Sequence, residues 1–137
     1  MISVLVADDH AFVRRSVVDV LTGAGDIEVV TQCEDGDEVL AAVQLHRPDV
    51  ALLDVRMQRM SGIAAAREVS TRTATRVLML SGSLSDQLLA DAADAGAAGF
   101  ALKGDDPAHL PELVRRVAQG GTAWGRRHPA LPRVPEV

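Results

Sequence analysis

The sequence predicts an α/β domain built on a doubly wound, five-stranded parallel sheet. Three observations lead there. Short apolar runs rich in β-branched residues alternate with longer stretches of helical periodicity, five times along the chain, and such alternation builds βαβ units. The runs at 2–7 (Ser3 apart), 50–53 and 77–80 are apolar on successive residues, as in strands buried on both faces. The 137 residues are 47% hydrophobic, enough to fill one core without disulfide or metal staples.

Ile2–Ala7 reads as the first strand. Phe12–Gly23 is a helix with Val13, Val17, Val20 and Leu21 at helical spacing, and Gly23 is its expected stop. Ile27–Thr31 is the second strand. Asp37–His46 is a helix with Val39, Leu40 and Val43 on one side, ended by Pro48. Val50–Leu53 is the third strand and Gly62–Ser70 the helix after it. Arg76–Leu80 is the fourth strand. Leu84–Ala95 is a helix closed by Gly96, with Leu84, Leu88, Ala92 and Ala95 inward. Gly99–Leu102 is a short fifth strand. Leu110–Gln119 is the last helix, with a stripe of Leu110, Leu113, Val114, Val117 and Ala118. Pro111 would break a helix interior, so either the helix starts near Leu110 or Pro107 opens a loose first turn.

Composition excludes several functions. Aromatics are 2% of the chain, too few for a single-stranded nucleic-acid platform. Net charge is −5, so no strongly basic surface covers it. Residues 1–120 carry eighteen Asp and Glu against eleven basic residues, whereas 121–137 are net basic through Arg126, Arg127 and Arg133. Cys33 is the only cysteine, which excludes a disulfide framework and a cysteine zinc site. His46, His109 and His128 lack zinc-ligand spacing. No apolar run approaches the roughly 18 residues of a membrane span, and the 2–7 run stops at Asp8 without the pattern of a leader. A cytoplasmic protein is expected. The expected division is a domain at 1–121 followed at 122–137 by a proline-containing tail or the start of a linker.

Ligands of open parallel sheets sit beyond the carboxyl ends of the strands, where strand order reverses. Asp8-Asp9 follow the first strand, Asp54 the third, Ser81 the fourth and Lys103 the fifth. If the first and third strands are neighbours, three carboxylates share one crevice. Such a set needs a cation, and all-oxygen ligation suits Mg²⁺. Lys103 is the only lysine beside thirteen arginines, and a compact ammonium suits a phosphoryl oxygen. A carboxylate is also able to attack a phosphoryl group itself. Each residue has a plainer alternative. An Asp after a strand caps the next helix, Ser81 serves a turn and Lys103 is a strand-end charge. His10 reads as loop packing rather than a ligand.

Four pieces carry a resemblance: Val4-Leu5-Val6-Ala7-Asp8-Asp9-His10, Asp49-Val50-Ala51-Leu52-Leu53-Asp54-Val55-Arg56-Met57, Val77-Leu78-Met79-Leu80-Ser81 and Gly99-Phe100-Ala101-Leu102-Lys103. Over about residues 2–121 the chain resembles a response-regulator receiver domain of two-component signalling. Val13-Arg14 and the stretch from Ala95 to Gly121 are similar to the NarL/FixJ group, which carries a LuxR-type helix-turn-helix output. The resemblance implies a flavodoxin-like (βα)5 fold with strand order 2-1-3-4-5. It implies Asp54 as phosphoacceptor, and Mg²⁺ held by Asp8, Asp9, Asp54 and the Arg56 carbonyl. It gives Ser81 and Lys103 the phosphoryl oxygens, and Ser81 and Phe100 the switch positions; plain core packing is the alternative for Phe100. The implied partners are a histidine kinase and a second copy meeting through the first and last helices. DNA would be contacted only by an output domain outside this chain.

The sequence departs from that family at Gln58-Arg59, where Pro-Gly is usual, which predicts a looser loop after the third strand. Gly82 after Ser81 and Gly104 after Lys103 are also unusual. Two other functions compete with a phosphorylation switch. An aspartyl-nucleophile phosphohydrolase would need a general acid two residues after Asp54, and Arg56 stands there. A receiver-like interaction module independent of phosphorylation would not need the intact acidic set.

Overall fold

The computed structural model describes residues 1–124; the basic, proline-containing stretch at 125–137 lies outside the described residues. Strands β1 (Ile2–Ala7), β2 (Ile27–Cys33), β3 (Val50–Asp54), β4 (Arg76–Ser81) and β5 (Gly99–Leu102) form one parallel sheet in the order β2-β1-β3-β4-β5. Helices α1 (Ala11–Gly23), α2 (Val39–His46), α3 (Gly62–Arg72), α4 (Asp86–Asp94) and α5 (Leu110–Ala118) connect and cover it. The predicted doubly wound architecture is therefore the observed one. Among the described residues no helix is long and apolar enough to cross a membrane.

The pleat sends alternate strand residues to opposite faces, and here both faces are dry. Leu5, Ala51, Leu53, Val77 and Met79 face a core shared with α2, α3 and α4; Val4, Val6, Val50, Leu52 and Leu78 face one shared with α1 and α5. Burying each such Val or Leu side chain contributes about 1.5–3 kcal/mol before entropy is charged against it. Cys33 lies in the first core, and burial pushes its thiol pKa up to about 11, consistent with a small apolar filler.

Several boundaries differ from those read in the sequence. β3 runs on through Asp54 and β4 through Ser81, because backbone pairs Asp54 with Leu80 and Ser81 with Leu102 continue the ladder. A 3₁₀ turn at Gly36–Glu38 precedes α2. α4 begins at Asp86, where the Ser85 hydroxyl accepts the Leu88 N–H at 3.0 Å. Gly23 lies within α1, and the left-handed exit is at Gly25, with φ +90°. Both readings of the last helix hold. A 3₁₀ turn opens at Pro107, and α5 proper starts at Leu110, with Pro111 in its first turn where its missing N–H costs nothing. After α5 the chain returns to the sheet: Ala123 is buried, its N–H donates to the Ala98 carbonyl, and its carbonyl accepts the Phe100 N–H.

α1 packs less completely than its periodicity predicts. Leu21 is buried, but Val13, Val17 and Val20 are half-exposed and Phe12 is 78% exposed. With Leu113 these residues line an apolar groove of about 270 Å³. Beyond it, Arg115 of α5 makes a two-pronged pair with Asp26 ahead of β2, at 2.8 and 2.9 Å. That guanidinium holds the Asp26 carboxyl below its ordinary pKa. The stabilisation is present above the unfolded value, about 3.9, and is lost as pH falls through the lower folded value. An NMR titration of the Asp26 carboxyl should give a depressed midpoint in the native chain and a value near the ordinary one in Arg115→Gln.

Candidate functional site

The sheet order reverses between β1 and β3, and their carboxyl ends open a crevice there. Asp8 follows β1 and donates its N–H to the Cys33 carbonyl at 3.1 Å, which ties it to the end of β2. Arg14 of α1 donates to the Asp8 carbonyl at 2.6 Å. Asp54 ends β3, Ser81 ends β4 and Lys103 follows β5. A cavity of about 360 Å³ at this end is lined by His10, Asp54, Arg56, Ser81, Gly82, Ser83 and Lys103.

Lys103 Nζ bridges two carboxylates, 3.1 Å from Asp54 Oδ1 and 3.0 Å from Asp8 Oδ2. Asp8 and Asp54 are almost fully buried, so each ionised form is costly unless a cation is near. Burial first, and the Asp8 charge second, push the Asp54 pKa up against the opposing pull of Lys103. Burial would lower the Lys103 pKa, but its bonds to Asp8 and Asp54 outweigh that and raise it. The lysine stays an ammonium beside carboxylates that one positive charge does not satisfy.

Donor atoms of Asp8, Asp9, His10 and Asp54 lie within 4.8 Å of one another. Asp8 Oδ2 and Asp9 Oδ1 are buried and accept no well-aligned hydrogen bond, although Lys103 stands near the first and His10 Nδ1 lies 3.0 Å from the second. Carboxylate oxygens converging on a solvent-connected crevice, short of well-aligned protein donors, fit a hard divalent cation that keeps some of its waters. The donor set therefore fits Mg²⁺. His10 comes closer to it than its sequence context suggests, with Nδ1 also 3.4 Å from Asp8 Oδ1.

The other predicted residues divide. Ser81 is buried, lines the cavity, and its hydroxyl accepts the Ser83 N–H at 3.2 Å. Arg56 is exposed at the rim. Phe100 does not reach the cavity. It is buried in the core that faces α2, α3 and α4.

The loop after β3 is the opposite of loose. Asp35, 2% exposed, accepts backbone N–H groups from Gln58, Arg59 and Met60 at 2.9–3.1 Å and from Gly36 at 2.7 Å. Burial would raise its pKa, but the N–H bonds from Arg59, Met60 and Gly36, with the Arg59 charge, outweigh burial and hold it below its ordinary value. Outside it, the Arg59 guanidinium binds Asp37 at 2.7 Å and Glu38 at 3.1 Å. Gln58 and Arg59 thus bring anchoring of their own where a proline would have supplied rigidity. The one signal for Asp35 in the sequence is the glycine after it. A Cβ at Gly36 would lie 2.2 Å from the Met60 carbonyl oxygen, which only a close loop-to-loop approach demands.

Residues 4–115 match the family model of the response regulator receiver domain. The chain belongs to the response regulator receiver family. This receiver is 38% identical over 120 residues to the probable transcriptional regulatory protein NarL of Mycobacterium tuberculosis, covering 87% of this chain and 56% of that protein. It is 36% identical over 128 residues to the DNA-binding transcriptional activator DevR/DosR of the same organism, covering 93% and 59%. Among solved structures, the signal receiver domain of the M. tuberculosis NarL superposes with a TM-score of 0.83 at 38% identity, over 87% of this chain and 97% of that one. The relatives are NarL/LuxR-type response regulators, and the receiver spans a little over half the length of those two proteins.

Proposed function

We propose that this receiver is a phosphorylation switch in which Asp54 takes a phosphoryl group from the phosphohistidine of a kinase. The observation that carries the reading is the Asp54 carboxylate itself. It ends a buried strand, lines an open cavity, faces one ammonium and stands beside Asp8 and Asp9 oxygens that accept no well-aligned hydrogen bond. An Asp54 oxygen attacks phosphorus while the P–N bond to the kinase imidazole breaks, and the ring nitrogen keeps that electron pair. Lys103 pairs with one peripheral phosphoryl oxygen, and the Ser81 hydroxyl donates to another. Asp8, Asp9, Asp54 and the Arg56 carbonyl would hold Mg²⁺, which when bound neutralises charge on the transferring oxygens.

Ser81 and Phe100 couple the site to the surface. Drawing Ser81 toward the phosphoryl group leaves room for Phe100 to settle further inward; its ring is already buried here, so the movement is a shift within the core. The added charge and acceptor oxygens then bias the β4–α4–β5 face between two arrangements. The output is transcriptional control in the cytoplasm, through a helix-turn-helix domain that follows the receiver; Ala123, paired with the sheet, still belongs to the receiver and moves its boundary past 121. DNA contact belongs to that domain. A second copy pairs through α1 and α5, where the apolar groove and Phe12 lie exposed.

Acetyl phosphate with Mg²⁺ should add one phosphoryl group per chain by intact mass, none with EDTA, and hydroxylamine should remove it as it cleaves acyl phosphates. A chain that takes no phosphoryl group under these conditions defeats the switch and leaves the phosphorylation-independent interaction module.

A further inference from the structure

The loop of residues 55–61 carries the Arg56 carbonyl and closes on itself through the Gly62 N–H, which donates to the Val55 carbonyl at 2.8 Å. Its far end holds no proline, so its shape depends on what binds its amides. Three consecutive N–H groups, of Gln58, Arg59 and Met60, converge on the one buried carboxylate of Asp35. A proline at position 58 would offer no N–H there. Arg59 then reaches back over the same turn to Asp37 and Glu38. The near end is fixed by the Val55 N–H on the Leu80 carbonyl, and Met57 packs on the core between the two ends. Arg56 is thus suspended between two anchored points.

We propose that Asp35, backed by the Asp37–Glu38–Arg59 cluster, is the positioning residue of the cation-binding loop and sets Mg²⁺ affinity by fixing residues 56–60. It rests on the metal-assisted reading above and goes beyond it, since Asp35 touches neither the cation's ligands nor the phosphoryl group. In Asp35→Asn the new NH₂ group faces backbone N–H donors in either orientation of the amide, so one side of the clamp turns repulsive.

Calorimetric titration of the unmodified chain with Mg²⁺ tests it, together with amide hydrogen exchange without metal. Asp35→Asn should weaken Mg²⁺ binding about tenfold or more and speed exchange at Gln58, Arg59 and Met60. Phosphoryl incorporation at saturating Mg²⁺ should stay near the native rate, a split that general destabilisation would not produce. Adding Gln58→Pro and Arg59→Gly to Asp35→Asn should recover part of the affinity, because proline holds the turn and has no N–H to leave stranded. Should Asp35→Asn fail to fold by circular dichroism, the surface variant Asp37→Asn/Glu38→Gln decides, with Mg²⁺ binding expected about threefold weaker. Native Mg²⁺ affinity in a folded Asp35→Asn, or in the surface variant when that one decides, overturns the proposal while native phosphorylation stands. A native chain that binds no Mg²⁺ overturns the metal-assisted reading and this proposal with it.

Discussion

Asp54→Asn is expected to abolish phosphoryl incorporation from acetyl phosphate, with no residual adduct by intact mass. The amide oxygen carries no full negative charge and cannot form a stable acyl phosphate. Its neighbours Ser81 and Lys103 remain in place, but neither replaces a carboxylate as acceptor. The same variant should be more stable than the native chain when Mg²⁺ is absent. Burial and the Asp8 charge together outweigh Lys103 and raise the Asp54 pKa, so the ionised carboxylate is held at a cost near neutral pH. An amide of the same shape removes that cost and leaves Lys103 to Asp8 alone, 3.0 Å away. Thermal melts with and without Mg²⁺ check this. Saturating Mg²⁺ should stabilise the native chain, by about 2.7 kcal/mol at roughly one hundred times its Kd, and Asp54→Asn far less. Label that survives the substitution would place the acceptor elsewhere.

Gly62→Ala should have the largest effect on stability. A Cβ at Gly62 would lie 1.9 Å from the Asp54 carbonyl oxygen and 2.8 Å from its carbonyl carbon. Backbone in the last residue of a central strand has no rotamer to escape into, so β3 or the start of α3 must move. A loss of about 3 kcal/mol or more follows, at the upper end of overpacking costs. The Met79 methyl group, 3.1 Å from the same point, is the far end of a flexible side chain and yields more easily. Gly23→Ala is the control. It lies in the last turn of α1 with nothing within 4 Å, so better helix propensity should stabilise by up to about 1 kcal/mol. Urea unfolding midpoints moving in opposite directions would bear out both. Because the displaced residue is Asp54, Gly62→Ala should also weaken Mg²⁺ binding.

Much of the fold was legible because buried parallel strands and amphipathic helices leave periodic marks. The apolar runs at 2–7 (Ser3 apart), 50–53 and 77–80 belong to the three central strands, β1, β3 and β4. The edges of elements were less legible. Asp54 and Ser81 break the hydropathy pattern, yet a backbone ladder is indifferent to side-chain polarity and runs through both. The stripe on α1 marks an apolar face but does not say what covers it, and Phe12 stays in solvent. Gln58-Arg59 suggested slack in the loop because the anchors lie 21 to 25 residues upstream, beyond any local pattern.

The sequence by itself determined the class of sheet, the run of elements and the set of charged groups at the strand ends, since each follows from short-range periodicity and from which residue stands after each strand. Only the tertiary structure decided that Lys103 reaches both Asp8 and Asp54, that oxygens of Asp8, Asp9 and Asp54 converge, and that Asp35 grips the loop beside them. Those facts depend on strand register and on distances between residues far apart in the chain, and distance is set by packing.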